Sequence, residues 1–294
     1  MLSYLHGFHA GNHADVLKHG VLTLLFEALM TKPKPLVYVE SHAGAGVYDL
    51  DGEQAGKTGE SADGIARLWP RRDEFPELSG YFEAISDLNP NGGLARYPGS
   101  PWIARHALRA DDRLILMELH KAEVATLRAQ LNADPRIHIH YRDGFEGLAA
   151  LLPPKPPRGL VLIDPPYEVK TDYAQVASCL EVAHARWPTG VYAIWYPRLA
   201  VQRDQAELLL KRLSRIAPRL LVAELVVRPQ SDEFGMYGSG LALVNPPWQF
   251  EERLGQWLPR LASLLAIDGF GMESKGRGPT GWRLEWRAGG AKGP

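Results

Sequence analysis

The sequence predicts an α/β fold: one seven-stranded, mostly parallel sheet with a small helical insertion. Three observations carry this. Short apolar, partly β-branched runs alternate with amphipathic helical stretches along most of the chain, the rhythm of a doubly wound sheet. Several runs end in glycine or an acid, as strand ends do at the ligand crevice of such sheets. One run, Leu160-Val161-Leu162-Ile163, stops at once in Asp164-Pro165-Pro166-Tyr167, where two prolines forbid further ladder hydrogen bonding.

Composition bounds the rest. The 294 residues are 45% hydrophobic and 23% charged, enough for a full core. Formal net charge is −1, so there is no overall basic field, and any polyanion site must be a local patch. Cys179 is the only cysteine, which excludes an internal disulfide or a thiolate zinc site and suits a reducing compartment. The N-terminus lacks a signal-peptide pattern, and the apolar runs are too short to span a bilayer. The expectation is a soluble, cytoplasmic protein with no membrane partner.

Taken in order, residues 1–12 read as an ordered arm. A helix follows from Asn12, its cap, to Met30, with Asp15 placed well for the helix dipole. His6, His9, His13 and His19 crowd this region, but their gaps match no familiar ligand pair, and no metal is expected. Leu36–Glu40 is the first strand, running into the small-residue turn Ser41-His42-Ala43-Gly44-Ala45-Gly46, where a backbone can approach a nucleotide cofactor. From 47 to 98 the βα rhythm is lost. Nine acidic against four basic residues between Asp51 and Asp87 mark an inserted helical subdomain that disfavours phosphate. Ser100 then caps a helix with Pro101 at its first position, a helix start that can face a carboxylate.

The sheet resumes with Arg113–His120. Glu118 at its end is where such folds hydrogen-bond a ribose. After a helix to Asn132 comes a third strand, Arg136–Tyr141, then Asp143-Gly144, an acid and a glycine able to touch an adenine amine. The fourth strand ends at Asp164. Tyr173–Ala185 is helical, and Gly190–Pro197 is the fifth strand. The 198–219 stretch carries six basic and two acidic residues at helical spacing, the best local cationic patch. Leu220–Val227 and Gly240–Asn245 are strands six and seven, and the glycine-rich 228–240 segment between them is a candidate mobile lid. A final helix ends near Ala266. Residues 269–294 form a C-terminal extension in which Trp282, Leu284 and Trp286 alternate like a short strand and the last residues are disordered.

Asp164-Pro165-Pro166-Tyr167 suits one chemistry. An exocyclic amine is a poor nucleophile because its lone pair is delocalised into the ring. Two acceptors, the Asp164 carboxylate and the Pro165 carbonyl, can hold its N–H groups, and the paired prolines stiffen that carbonyl. Tyr167 offers a face for a base. Asn245-Pro246-Pro247-Trp248 repeats the pattern, but a seventh strand running antiparallel would put it at the opposite edge, so it reads as a strand terminator.

The chain resembles the ribosomal RNA large subunit methyltransferase J family. The resemblance lies in the run from Met1 to His19, Ser41–Gly46, Thr58-Gly59-Glu60, Tyr97–Pro101, Ile163–Glu168 with Lys170–Tyr173, Trp195-Tyr196-Pro197 and Asn245–Trp248. It implies a Rossmann-like S-adenosylmethionine-dependent methyltransferase that modifies adenine N6 in 23S rRNA. It further implies cofactor contacts at His19, His42, Ser100, Glu118, Asp143, Gly144 and Asp164, with Asp164 catalytic. Tyr4 and His6 would be substrate contacts beside Pro165 and Tyr167, with Lys18 in the same N-terminal motif as His6, and the arm would fold over the pocket. The residues alone leave two other classes open, a DNA adenine-N6 methyltransferase and a noncatalytic RNA- or metal-binding protein.

Overall fold

The fold comes from a computed structural model that describes residues 5–232, 234–267 and 281–290. Tyr4, the 275–277 basic stretch and the last four residues lie outside the described residues.

Asn12 starts helix α1 (His13–Met30) by accepting from the Ala14 and Asp15 amides. β1 (Val37–Glu40) follows. The next segment holds β2 (Val47–Asp49), α2 (Glu53–Thr58), α3 (Ile65–Leu68), α4 (Ser79–Leu88) and β3 (Arg96–Pro98), with short 3-10 turns between them. It is not purely helical, because β2 and β3 pair antiparallel in a sheet of their own. Then come α5 (Ser100–Ala107), β4 (Arg113–Glu118), α6 (Lys121–Leu131), β5 (Ile137–Tyr141) and α7 (Gly144–Leu151). β6 (Gly159–Ile163), α8 (Thr171–Arg186), β7 (Val191–Leu199), α9 (Ala206–Ile216) and β8 (Leu220–Val226) continue the alternation. β9 (Met236–Val244), α10 (Phe250–Leu265) and β10 (Trp282–Ala288) close the described chain.

The main sheet has eight strands rather than seven, in the order β10-β8-β9-β7-β6-β1-β4-β5. β5, β4, β1, β6 and β7 pair parallel, β9 is antiparallel to both neighbours, and β10 adds antiparallel to β8. The extra strand follows from its alternation: Trp282, Leu284 and Trp286 pack on the core, while Arg283 and Arg287 pair with Glu207 on the other face. Charges of this kind also keep an edge strand from recruiting another chain. β9 starts at Met236, so the last five residues of the expected 228–240 loop are strand.

Alternation along each strand divides the core into two layers. Leu160 and Leu162 face the cluster formed with α1, α4, α5 and α10, and Val161 and Ile163 face the cluster formed with α8 and α9. Every residue of α1 from His13 to Phe26 is buried. A helix buried all round that still carries Asp15, Lys18 and His19 must pair them internally, because an isolated buried charge is very costly. None of the described helices is long and apolar enough to cross a membrane.

Candidate active site

The parallel strands β1, β4, β5, β6 and β7 all end at one edge, and a cavity of about 650 Å³ opens there. Its wall includes His6, His19, His42, Ser100, Glu118, Asp143, Gly144, Asp164, Pro165 and Tyr167. Every expected site residue within the described chain therefore meets at one cavity. Asn245 does not. Because β9 runs antiparallel, it sits at the far edge, where its amide donates to the Pro188 and Gly190 carbonyls at 2.8 and 2.9 Å.

Asp164 follows the last residue of β6, so the sheet fixes its backbone, and its N–H reaches the Ser41 hydroxyl at 3.4 Å. Lys18 Nζ donates to Asp164 Oδ2 at 2.7 Å and lies 2.9 Å from Asp15 Oδ1. Burial opposes the charge on Lys18, but the Asp15 and Asp164 carboxylates outweigh it and raise its pKa. Burial likewise opposes the charge on Asp15, yet His6 and Lys18 hold its carboxyl well below the usual carboxylate range. Asp15 also receives His6 Nε2 and the Gly11 amide at 2.9 Å each, so one carboxylate ties the arm to the lysine. The Thr58-Gly59-Glu60 motif fastens the arm from outside. The Thr58 hydroxyl donates to the Phe8 carbonyl, and Glu60 meets His9 and Asn12 at 2.9 Å.

The cofactor-type residues take varied places. Glu118 ends β4, but its carboxylate already accepts from the Gly44, Leu119 and His120 amides at 2.7–2.8 Å. A carboxylate has about four lone-pair sites, so one remains for a ribose hydroxyl. Asp143 caps α7 through Oδ1, leaving Oδ2 without a partner among the described residues. Burial lowers the pKa of His42, whose ring stands edge-on to Phe145 and whose Nδ1 meets the Ser41 hydroxyl at 2.8 Å. Burial also pushes His19 down to about 3, and its Nδ1 is bonded to the Tyr97 hydroxyl.

Two expectations are corrected. Ser100 is not the cap of α5; Gly99 is. The Ser100 hydroxyl instead donates to Glu40, a fully buried carboxyl that burial pushes up to about 8. Tyr167 is only 4% exposed, which leaves little of its face for a base. Its ring packs on Tyr173 and Trp195, and its hydroxyl donates to the Trp195 carbonyl at 2.7 Å. Half-buried Trp195, which lines the cavity near Lys18, is the larger aromatic wall.

Gly144 answers a tight approach. A Cβ built there would lie 1.9 Å from the Ser41 carbonyl oxygen, where the start of α7 meets the turn after β1. Gly144→Ala is expected to cost about 3 kcal/mol and to weaken cofactor binding. A denaturation midpoint equal to that of the wild type would refute this.

The lining suits a cationic nucleoside cofactor. Among the described residues, eight of the lining are Asp or Glu against one lysine and one arginine, and the volume is typical of a small-ligand site. Among the described residues no cluster of His, Cys, Asp and Glu could hold a metal ion.

Comparison with known proteins agrees with this geometry. The family described as ribosomal RNA large subunit methyltransferase D, RlmJ, matches residues 33–286. The ribosomal RNA large subunit methyltransferase J of Escherichia coli K12 is 47% identical over 272 residues, covering 92% of this chain and 96% of that one. The Haemophilus influenzae protein of the same name is 44% identical over 288 residues, covering 97% and 99%. A crystal structure of a Legionella pneumophila protein superposes with a TM-score of 0.84 at 36% identity, covering 96% and 99% of the two chains. Matched over most of its length by sequence and by structure, the chain belongs to the RlmJ family of ribosomal RNA large subunit methyltransferases.

Proposed function

We propose that the protein methylates the N6 amine of an adenosine in 23S rRNA, with S-adenosylmethionine as methyl donor. The observation that carries this is Asp164, placed by β6 at the cavity and fixed by buried Lys18. When bound, the cofactor supplies a methyl made electrophilic by its sulfonium, so the task left to the protein is to position the partners.

Lys18 occupies Asp164 Oδ2, which leaves Oδ1 to accept one amine N–H, with the Pro165 carbonyl as second acceptor. Both draw the amine nitrogen out of conjugation with the ring. After transfer the N6 cation is strongly acidic and releases its proton to Asp164 or water. Trp195 forms the flat wall against which the base lies, held by Tyr167 from behind. Asp143 Oδ2 and the last site on Glu118 would take the adenine amine and ribose of the cofactor. His19, His42, Ser100 and Gly144 complete that wall. Tyr4 precedes His6 by two residues in the sequence, and on this reading it is a further substrate contact.

The test is methyl transfer from labelled S-adenosylmethionine to protein-free 23S rRNA, intact large subunits and duplex DNA in parallel. N6-methyladenosine in the free rRNA is the expected product. Label in DNA alone, or at another atom of the rRNA, would overturn the proposal.

A further inference from the structure

The acidic lining of the cavity has a consequence for the substrate. Eight carboxylates against Lys18 and Arg203 suit a cationic cofactor but repel phosphate. On the function proposed above, only the target base enters, and the flanking nucleotides must be held at the mouth. Phe234, the chain neighbour of the lining residue Gly235, is 80% exposed, the most exposed of the large apolar side chains among the described residues, and Val201, bonded to the same turn, is 55% exposed.

The turn that carries Phe234 is built. The Ala200 and Val201 amides donate to the Gly235 and Ser231 carbonyls at 3.1 Å. The Gln230 side chain donates to the Leu199 carbonyl at 2.8 Å, and the Ser231 hydroxyl to the Phe234 carbonyl at 2.7 Å. The turn is thus bonded to the end of β7, and Gly235, at φ +104°, lines the cavity next to the exposed ring. Arg203, also in the lining, is exposed and has no carboxylate partner among the described residues. Asp232 lies in the same turn, so phosphate attraction alone is a poor account of this patch. What it offers is an exposed aromatic ring next to the cavity lining, and in that same lining a guanidinium with no carboxylate partner among the described residues.

We propose that Phe234 is a stacking platform for the nucleotide adjoining the methylated adenosine, with Arg203 on its phosphate. Drawing a base out of its stack leaves a neighbour with one bare face. A phenyl ring covers that face whatever the base, because every base has a π surface.

The test begins by mapping the adenosine that the wild type labels. A hairpin carrying it is then made with 2-aminopurine on either side. Phe234→Ala should raise the KM for RNA about ten-fold, with kcat and cofactor affinity kept. Phe234→Trp should retain the wild-type KM, and Arg203→Gln should flatten the salt dependence of binding by about one phosphate contact. Binding should leave the 2-aminopurine quenched in the wild type, the ring replacing the lost stack, and should brighten it in Phe234→Ala. An alanine variant with the wild-type KM and the wild-type quenching would overturn the platform and leave the proposed function standing. A wild type that labels no RNA would overturn the proposed function itself, and the platform with it.

Discussion

Asp164→Ala is expected to lower kcat for methyl transfer by at least about 10²-fold while the fold and cofactor binding persist. The loss should fall on kcat and kcat/KM together, because the amine needs its acceptor most as its nitrogen turns tetrahedral. The fold should survive because Lys18 keeps its second carboxylate: Asp15 Oδ1 lies 2.9 Å from its Nζ. Asp164→Asn keeps the shape but has a single acceptor oxygen, for which Lys18 and the amine compete, so its rate should fall close to that of the alanine variant. Single-turnover methylation with cofactor affinity measured by calorimetry reads both. More than about a tenth of the wild-type rate in Asp164→Ala would remove the residue from the chemistry.

What was legible in the sequence was local. A strand interrupted by two prolines announces its own end, so Asp164 could be placed at a sheet edge from residues 160–167 alone. Glu118 was legible for the same reason, as an acid closing an apolar run, and Asp143 as an acid before a glycine just past a strand. The antiparallel β9, which sends Asn245 to the far edge, was expected from the methyltransferase type of sheet and not from any residue pattern. Long-range partners were not legible. Lys18 and Asp164 are 146 residues apart, and no periodicity relates them. A signal did exist: Asp15 and Lys18 are charged residues in a helix otherwise rich in core side chains, and such charges need a buried partner.

Other misses have equally physical causes. The face expected of Tyr167 was taken by Tyr173 and Trp195, contacts that depend on how α8 and β7 pack. Ser100 looked like a cap because serine usually caps, but Gly99 bonds the Gly46 carbonyl through its own N–H and frees the hydroxyl for Glu40. Helix α7 went unread because Gly144 and Gly147 are poor helix formers. Each has a packing reason: a Cβ would meet the Ser41 carbonyl in one case and the Met117 sulfur in the other.

Lys18→Met should lose about 3 kcal/mol of stability or more, because it leaves Asp15 and Asp164 facing each other without their cation. The sign of the pH dependence distinguishes this from simple repacking. In the wild type, the folded state raises the pKa of Lys18 above its ordinary 10.5, so that contribution is full below 10.5 and is lost only as pH rises through the folded value. Asp15 is lowered from its ordinary 3.8, so its contribution is full above 3.8 and is lost as pH falls through the folded value. Between these limits the wild-type pair adds no pH dependence. In Lys18→Met the two carboxylates can share a proton, so the variant should grow more stable relative to wild type as pH falls from 8 toward 5. Adding Asp15→Asn removes one of the charges and should recover much of the lost stability. It should not recover methyl transfer, because Asp164 would still lack the lysine that fixes Oδ2. Urea denaturation of the three proteins at pH 5 and pH 8, beside their single-turnover rates, measures every part of this. A lysine variant as stable as wild type at both values would mean that the buried pair does not hold the site together. A double variant with the wild-type rate would mean that Lys18 serves the fold alone.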